Sequence, residues 1–362
     1  MLRLHRALIG APLGAAAVLG SALVGCSDAP VAAPPAVERG LAFWVELVEP
    51  AGLGERFAFA GEHGLTLHLA REQGVHDRAY LAGACAAAAA HSVPLRLWPL
   101  LPKAGGYWAG QSNAPAFLAW TDELVGWAES DCPTFAGVEV DLEMAYDRVQ
   151  TLQAMRGAGA DLAAIAEFMQ SGVDEAAFEA ARSALADGVD ALHARGVDVG
   201  LSTLPMNADD WADGDEGIGK MFGTPIDGIA WDRVSFQVYR SLYDAQFPPK
   251  SGAPYGPGLV ASYAASIVER FGARAAIDLG TTGSGIGIPE GLPSAEALRA
   301  DLAAALAEGI APGNIAVYSL EGLDGRPDPE RWVTQPPAQR ALPTEDDEEP
   351  RGVFRALDSL QP

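Results

Sequence analysis

Phe135-Ala136-Gly137-Val138-Glu139-Val140-Asp141-Leu142-Glu143 alternates with a period of two. On a strand, successive side chains point to opposite faces. Val138, Val140 and Leu142 therefore share one face, and Glu139, Asp141 and Glu143 share the other. The chain on either side reads as alternating strands and helices, an arrangement in which both faces of each strand are covered. A covered row of three acids calls for chemistry or for counter-charge.

Working outward, strands are expected at 41–47, 65–69, 93–100, 135–143, 197–204, 233–239, 275–280 and 314–320. Helices are expected at 77–91, 114–130, 174–195, 257–271 and 294–308. Ser294 stands as an N-cap before Ala295-Glu296-Ala297, and Gly196 stops the helix that ends near Arg195. Eight strands alternating with helices predict an α/β chain folded as a (β/α)8 barrel, one domain over 41–332. The stretch from Glu143 to Val197 is too long for one helix. It holds an insertion after the fourth strand, including a helix at 162–169, that should overhang the active face. Residues 333–362 turn Pro-rich and then acidic at Glu345-Asp346-Asp347-Glu348-Glu349, which reads as a solvated acidic tail with a short helix near 353–360.

At the N-terminus, Arg3 and Arg6 precede an apolar run that ends in Leu23-Val24-Gly25-Cys26. This is a secretory signal over 1–25. Its end resembles the lipobox of bacterial lipoproteins, which implies that Cys26 is lipidated and becomes the first mature residue. The Ala/Pro-rich stretch 26–40 is then a tether. The expected address is the cell envelope, anchored to a bacterial membrane and facing the periplasm or the exterior. The net charge is −24, or −26 once Arg3 and Arg6 leave with the signal, and it argues against a nucleic-acid partner, which needs a basic footprint. Apart from Cys26 there are Cys85 and Cys132, whose pairing the sequence leaves open. No CxxC or HxxxH spacing points to zinc, so no metal or cofactor is expected, and the protein is expected to be a monomer.

If the apolar side of each strand packs on the helices, the other side lines the barrel. That parity sends Trp44, Glu46, His68, Arg96, Trp98, Glu139, Asp141, Glu143, Gln237, Tyr239 and Asp278 inward. Glu321 lies just past the eighth strand. Such a lining is unlike the branched apolar filling of an ordinary barrel. Alternate residues on a strand sit about 6.5 to 7 Å apart, so three ionised acids repel and at least one should hold a proton near neutral pH. Glu143, nearest the C-terminal strand end, is the candidate general acid, and Arg96 is placed to neutralise Glu139 below it. His68 reads as a core histidine. Trp44, Trp98, Tyr107 and Trp108 are either packing residues or a platform on which sugars stack. Gly280-Thr281-Thr282-Gly283-Ser284-Gly285 lacks the Lys and the spacing of a P-loop.

Gly137-Val138-Glu139-Val140-Asp141-Leu142-Glu143 resembles the fourth-strand signature of the family 18 glycoside hydrolases, the chitinase-like barrels, Asp-Gly-x-Asp-x-Asp-x-Glu. The resemblance implies that Glu143 is the acid and that Asp141 positions a substrate acetamido group acting as internal nucleophile. Tyr239 in Gln237-Val238-Tyr239-Arg240 stands where that family has the Tyr of Met-x-Tyr-Asp and would orient the same group. The chain departs at Ala136, Glu139, Gln237 and Arg240, and no Trp closes the eighth strand, where the chain reads Val317-Tyr318-Ser319-Leu320-Glu321. The expected function is hydrolysis of a glycan, with Trp44, Glu46, Arg96, Trp98, Trp108, Glu139, Gln237, Arg240, Asp278 and Glu321 contacting substrate. Asp278 or Glu321 would supply a second carboxylate if the mechanism uses two. One alternative is a glycan-binding lipoprotein without turnover, suggested by Ala136 and Arg240. A weaker one is a metal-dependent phosphodiesterase, since Glu139-Val140-Asp141 followed by Asp147 is similar to the Glu-x-Asp of glycerophosphodiester phosphodiesterase barrels, although the first strand lacks their His-Arg-Gly.

Overall fold

The computed structural model describes residues 40–46, 52–210, 215–283 and 291–358. The signal segment, Cys26, most of the tether and the end of the Gly-rich loop lie outside the described residues.

Apolar alternation makes eight strands, and their apolar faces turn outward. They are β1 (Ala42–Val45), β2 (Thr66–Glu72), β3 (Leu95–Leu100), β4 (Phe135–Leu142), β5 (Val199–Thr203), β6 (Arg233–Val238), β7 (Ala275–Gly280) and β8 (Ile315–Tyr318). All neighbours pair in parallel, and β8 returns to β1, closing the barrel. The helices in chain order are α1 (Leu53–Glu62), α2 (Arg78–His91), α3 (Ala114–Asp131), α4 (Tyr146–Gly157), α5 (Leu162–Gln170), α6 (Glu175–His193), α7 (Gly217–Phe222), α8 (Arg240–Gln246), α9 (Pro257–Phe271), α10 (Ala295–Ala307), α11 (Pro329–Val333) and α12 (Glu345–Asp358). This is the expected (β/α)8 barrel, and the expected caps form: the Ser294 hydroxyl accepts from the Ala297 amide, and Gly196 takes a left-handed φ of +76°.

Phe43, Leu67, Leu97, Val140, Leu201, Phe236, Ile277 and Val317 all join one buried core with the surrounding helices. The opposite parity faces the barrel axis in matched levels. Trp44 pairs with His68, His68 with Arg96, Glu139 with Gly200, and Asp141 with Ser202. Gly200 is required at its level, since a Cβ there would come within 1.8 Å of Glu139 Oε2. Gly137, at φ +132°, is likewise confined between the Asp198 carbonyl and the Arg96 guanidinium, where β3 and β4 shift register.

The insertion after β4 is α4 and α5, before the barrel helix α6. With α7 and the loop after β5, it builds a cluster of Met144, Met169, Ile218 and Met221 over the C-terminal strand ends. The acidic tail departs from expectation. The acid run forms the first turns of α12, which docks on the barrel while Glu345 and Glu348 stay exposed. Its Arg351 donates to Asp209 at 2.6 Å and lies over the Tyr263 ring, and Asp347 is buried as well. A buried guanidinium needs such a partner, and that requirement orders the helix.

Cys85 on α2 and Cys132 at the end of α3 form a disulfide. It closes 47 residues of chain, and restriction of the unfolded state by such a loop is worth about 4 kcal/mol in the chain-entropy view. Replacing both cysteines by Ala should lower the unfolding free energy by roughly 2 to 4 kcal/mol in a urea titration while leaving the barrel's circular dichroism intact.

Candidate functional site

Above Val138 the β3–β4 pairing ends. The free edge of β4 is taken up by Ala109, whose amide donates to the Asp141 carbonyl at 2.9 Å and whose carbonyl accepts from the Glu143 amide at 3.1 Å. The loop that delivers Ala109 is pinned by Asn113, which donates to the Gly105 and Trp108 carbonyls and accepts from the Gly110 amide. Tyr107 in this loop has a φ of +66°, uncommon for a bulky residue. This backbone sends its hydroxyl across to Glu46, to which it donates at 2.7 Å. Tyr318 at the top of β8 donates to the other Glu46 oxygen. Burial and the Glu46 charge push both phenols far above their ordinary value, so both remain donors.

Asp141 and Glu143 are the centre of the site. One amide nitrogen, Gln237 Nε2, donates to Asp141 Oδ1 at 2.9 Å and to Glu143 Oε1 at 2.8 Å. Burial, followed by the charge of Glu143 and a hydrogen bond with it, raises Asp141 well above the usual carboxylate range. Burial pushes Glu143 to about 7, while the hydrogen bonds from Gln237 and Asp141 hold it down. The pair therefore keeps a proton between its two carboxyl groups at neutral pH.

These two acids sit at the base of a cleft of about 150 Å³. Glu46, Trp44, Trp98, Trp108, Gln237 and Tyr239, all expected from the sequence, line it, and so does Tyr318. Its other wall comes from the insertion and the loops after β5 and α7, including Val149, Leu152, Arg156, Met206 and Phe222.

The remaining expected contacts do not reach the cleft. Glu139 lies one level down, accepting from Arg233 at 3.0 Å, with Arg96 Nε 3.4 Å away. Arg96 also bonds the carbonyls of Ala136 and Val138 and pairs with Asp198 at 2.7 Å. Both are consumed by counter-charge, as the sequence anticipated for that pair, and neither lines the cleft. His68 beside them is held neutral, its pKa depressed by burial and by the two arginines. Arg240 is turned into the helix layer, where it pairs with Asp301 at 3.0 Å and bonds the Tyr255 carbonyl. Asp278 is buried beneath the cleft, accepts from Ser202 at 2.5 Å, and is raised to about 7 by burial. Glu321 begins a short 3₁₀ turn past β8, outside the cleft lining. Because Glu139 is committed to arginines, the Glu139–Asp141–Asp147 grouping of the phosphodiesterase reading is not assembled. Among the described residues no three His, Cys, Asp or Glu side chains cluster to hold a metal ion.

No family model matches the chain, and no curated protein matches it. Solved structures do. A GH5_18 protein from Bifidobacterium longum subsp. infantis aligns at 14% identity over 86% of this chain and 74% of its own, with a TM-score of 0.46. A protein assigned as chitinase A from Streptomyces coelicolor aligns at 10% identity over 90% and 99%, with a TM-score of 0.45. A D-allulose 3-epimerase from Methylomonas sp. aligns at 15% identity over 89% and 99%, with a TM-score of 0.43. The three carry different chemistries, and none assigns a reaction to this chain.

Sequence reasoning missed Tyr318 as a site residue, along with Ser202, Met206, Phe222 and Arg156. Parity on β5 and β8 was the available signal for Ser202 and Tyr318. The others come from loops and from the insertion, where no strand period applies.

The Asp278 carboxyl gives a stability prediction. Its folded pKa lies above its unfolded one, so the folded state binds the extra proton between about pH 4 and 7, and its contribution is lost as pH rises through about 7. Asp278→Asn removes the cost of ionising that group. Its melting temperature should exceed that of the wild type at pH 8, with a smaller difference at pH 5, in paired thermal scans.

Proposed function

We propose that this protein hydrolyses a glycosidic bond, with Glu143 as general acid. The observation that carries the reading is the Asp141–Glu143 pair, bridged by Gln237 and raised by burial, at the base of an aromatic-lined cleft at the C-terminal strand ends. That end of a (β/α)8 barrel is where such enzymes carry their chemistry. A carboxyl group with a pKa near 7 is protonated often enough at neutral pH to donate to a leaving oxygen.

The fourth-strand resemblance to family 18 favours a substrate-assisted route for an N-acetyl sugar. Glu143 donates its proton to the glycosidic oxygen as the C1–O bond breaks, and the acetamido oxygen bonds to C1. Asp141 holds the acetamido N–H, and Tyr239 orients the group. Water then attacks C1, breaks the C1–O bond to the acetamido oxygen, and gives a proton back to Glu143. Glu46 supports a second route. It, and neither Asp278 nor Glu321, is the further carboxylate in the cleft, so it is the residue that a two-carboxylate mechanism would use. The expected lipid anchor at Cys26, an envelope address and a monomeric state complete the proposal.

Reducing-end release from soluble glycans, including chitin and peptidoglycan fragments, tests it with the wild type, Glu143→Gln and Glu46→Gln. Glu143→Gln should lose activity by about 10² to 10⁴-fold, the typical contribution of general acid–base catalysis. A Glu46→Gln loss as deep as that of Glu143→Gln selects the two-carboxylate route. Equal activity in Glu143→Gln and wild type refutes the role of Glu143, and binding without turnover in the wild type identifies a glycan-binding protein.

The pH profile is a separate check. Since the acid acts in its protonated form, kcat should fall as pH rises through about 7, and this alkaline limb should vanish from any residual rate of Glu143→Gln.

A further inference from the structure

Val149, Leu152, Gln153 and Arg156 line the cleft from α4. Their spacing of i, i+3, i+4 and i+7 places them on one helical face. At 1.5 Å per residue, the face carries Arg156 about 10 Å along the helix from Val149. The wall thus begins beside the cleft aromatics, continues through Leu152 with Gln153 next to it, and ends in a cation.

Most interior arginines meet a carboxylate; Arg71 and Arg148 bond backbone carbonyls instead, and neither lines this cleft. Arg96 meets Asp198, Arg233 meets Glu139, Arg240 meets Asp301 and Arg351 meets Asp209. Arg156 meets none of the described carboxylates. Its Nη1 donates to Gln246 Oε1 at 2.6 Å, its other terminal nitrogen donates to the Gln246 carbonyl, and the guanidinium lies 4.8 Å from the centre of the Phe247 ring. These bonds use two of the five N–H donors of a guanidinium. In a chain with twice as many acids as bases, a half-buried guanidinium held only by neutral oxygens at a cleft wall is a position kept open for an anion. Burial alone lowers its pKa, with no charged neighbour contributing.

We infer that Arg156 binds the anionic group, carboxylate or phosphate, of a ligand whose intervening portion is apolar and lies against Val149 and Leu152. Describing that portion as the leaving group rests on the reading of Glu143 as acid; the anion site itself does not. The ligand is then a glycoside whose aglycone is an apolar chain or ring ending in an anion. Val149 and Leu152 supply no hydrogen-bonding partner, and Gln153 is the one amide beside them on this face of α4, so the face suits an apolar portion better than a run of sugar hydroxyls.

The test is equilibrium binding of octanoate, octyl phosphate and octanol to the purified protein and to Arg156→Gln, followed by the fluorescence of the cleft tryptophans. Octanol measures the apolar wall alone. At least one of the two anions should bind the wild type tenfold or more tightly than octanol, and the tighter of the two identifies which anion the site selects. Arg156→Gln should close this gap while leaving octanol binding unchanged. Raising salt from 0.05 to 0.5 M should also narrow the gap in the wild type, an arm that stands even if the variant does not fold. The inference is overturned if octanol binds as tightly as both anions, if none of the three binds, or if the gap survives Arg156→Gln or high salt. Because no turnover is read, a protein that shows the gap yet releases no reducing ends keeps its anion site and loses the hydrolase reading. A protein that cleaves glycans without the gap does the reverse.

Discussion

Three carboxylates on one strand, each about 6.5 to 7 Å from the next, cannot all be ionised inside a barrel without compensation. The structure resolves this in two levels. At the lower one, Arg233 and Arg96 flank Glu139 with positive charge, and the neutral His68 adds none. At the upper one no cation is brought in. Asp141 and Glu143 hold a proton instead, and Gln237 offers its amide to both. A cation beside the upper pair would pull both pKa values down and remove the proton, so the arginines below and the amide above are complementary parts of one solution.

This division accounts for the backbone around it. Glu139 needs the space that Gly200 leaves empty, and Arg96 reaches across β4 only where Gly137 permits it. Trp44 touches both levels, standing edge-on to His68 beside Glu139 and to Trp98 in the cleft lining. Above it, Glu46 is fixed by two tyrosine hydroxyls, a third way of accommodating an acid in the same interior.

Much of this was legible in the sequence because strand parity is a strong constraint. It placed Trp44, Glu46, Trp98, Asp141, Gln237 and Tyr239 in the interior, and a one-residue error would have reversed every one. Parity gives the face and says nothing of depth. Arg96, Glu139 and Asp278 point inward as expected but sit below the cleft, a distinction set by strand register around the closed barrel. Arg240 failed for another reason: it was expected from the family resemblance and not from parity, and it shares the face of Phe236 and Val238, so its guanidinium finds Asp301 in the helix layer. The acid run at the C-terminus looked solvated because Arg351, the residue that docks it, finds its partner Asp209 142 positions away.

Ala109 has a broader consequence. The main chain of Glu143 is held by a loop residue, since the neighbouring strand has already diverged. The barrel therefore carries a seam between β3 and β4. The ring of strands fixes the fold, and the buried loop that fills the seam fixes where the acid stands.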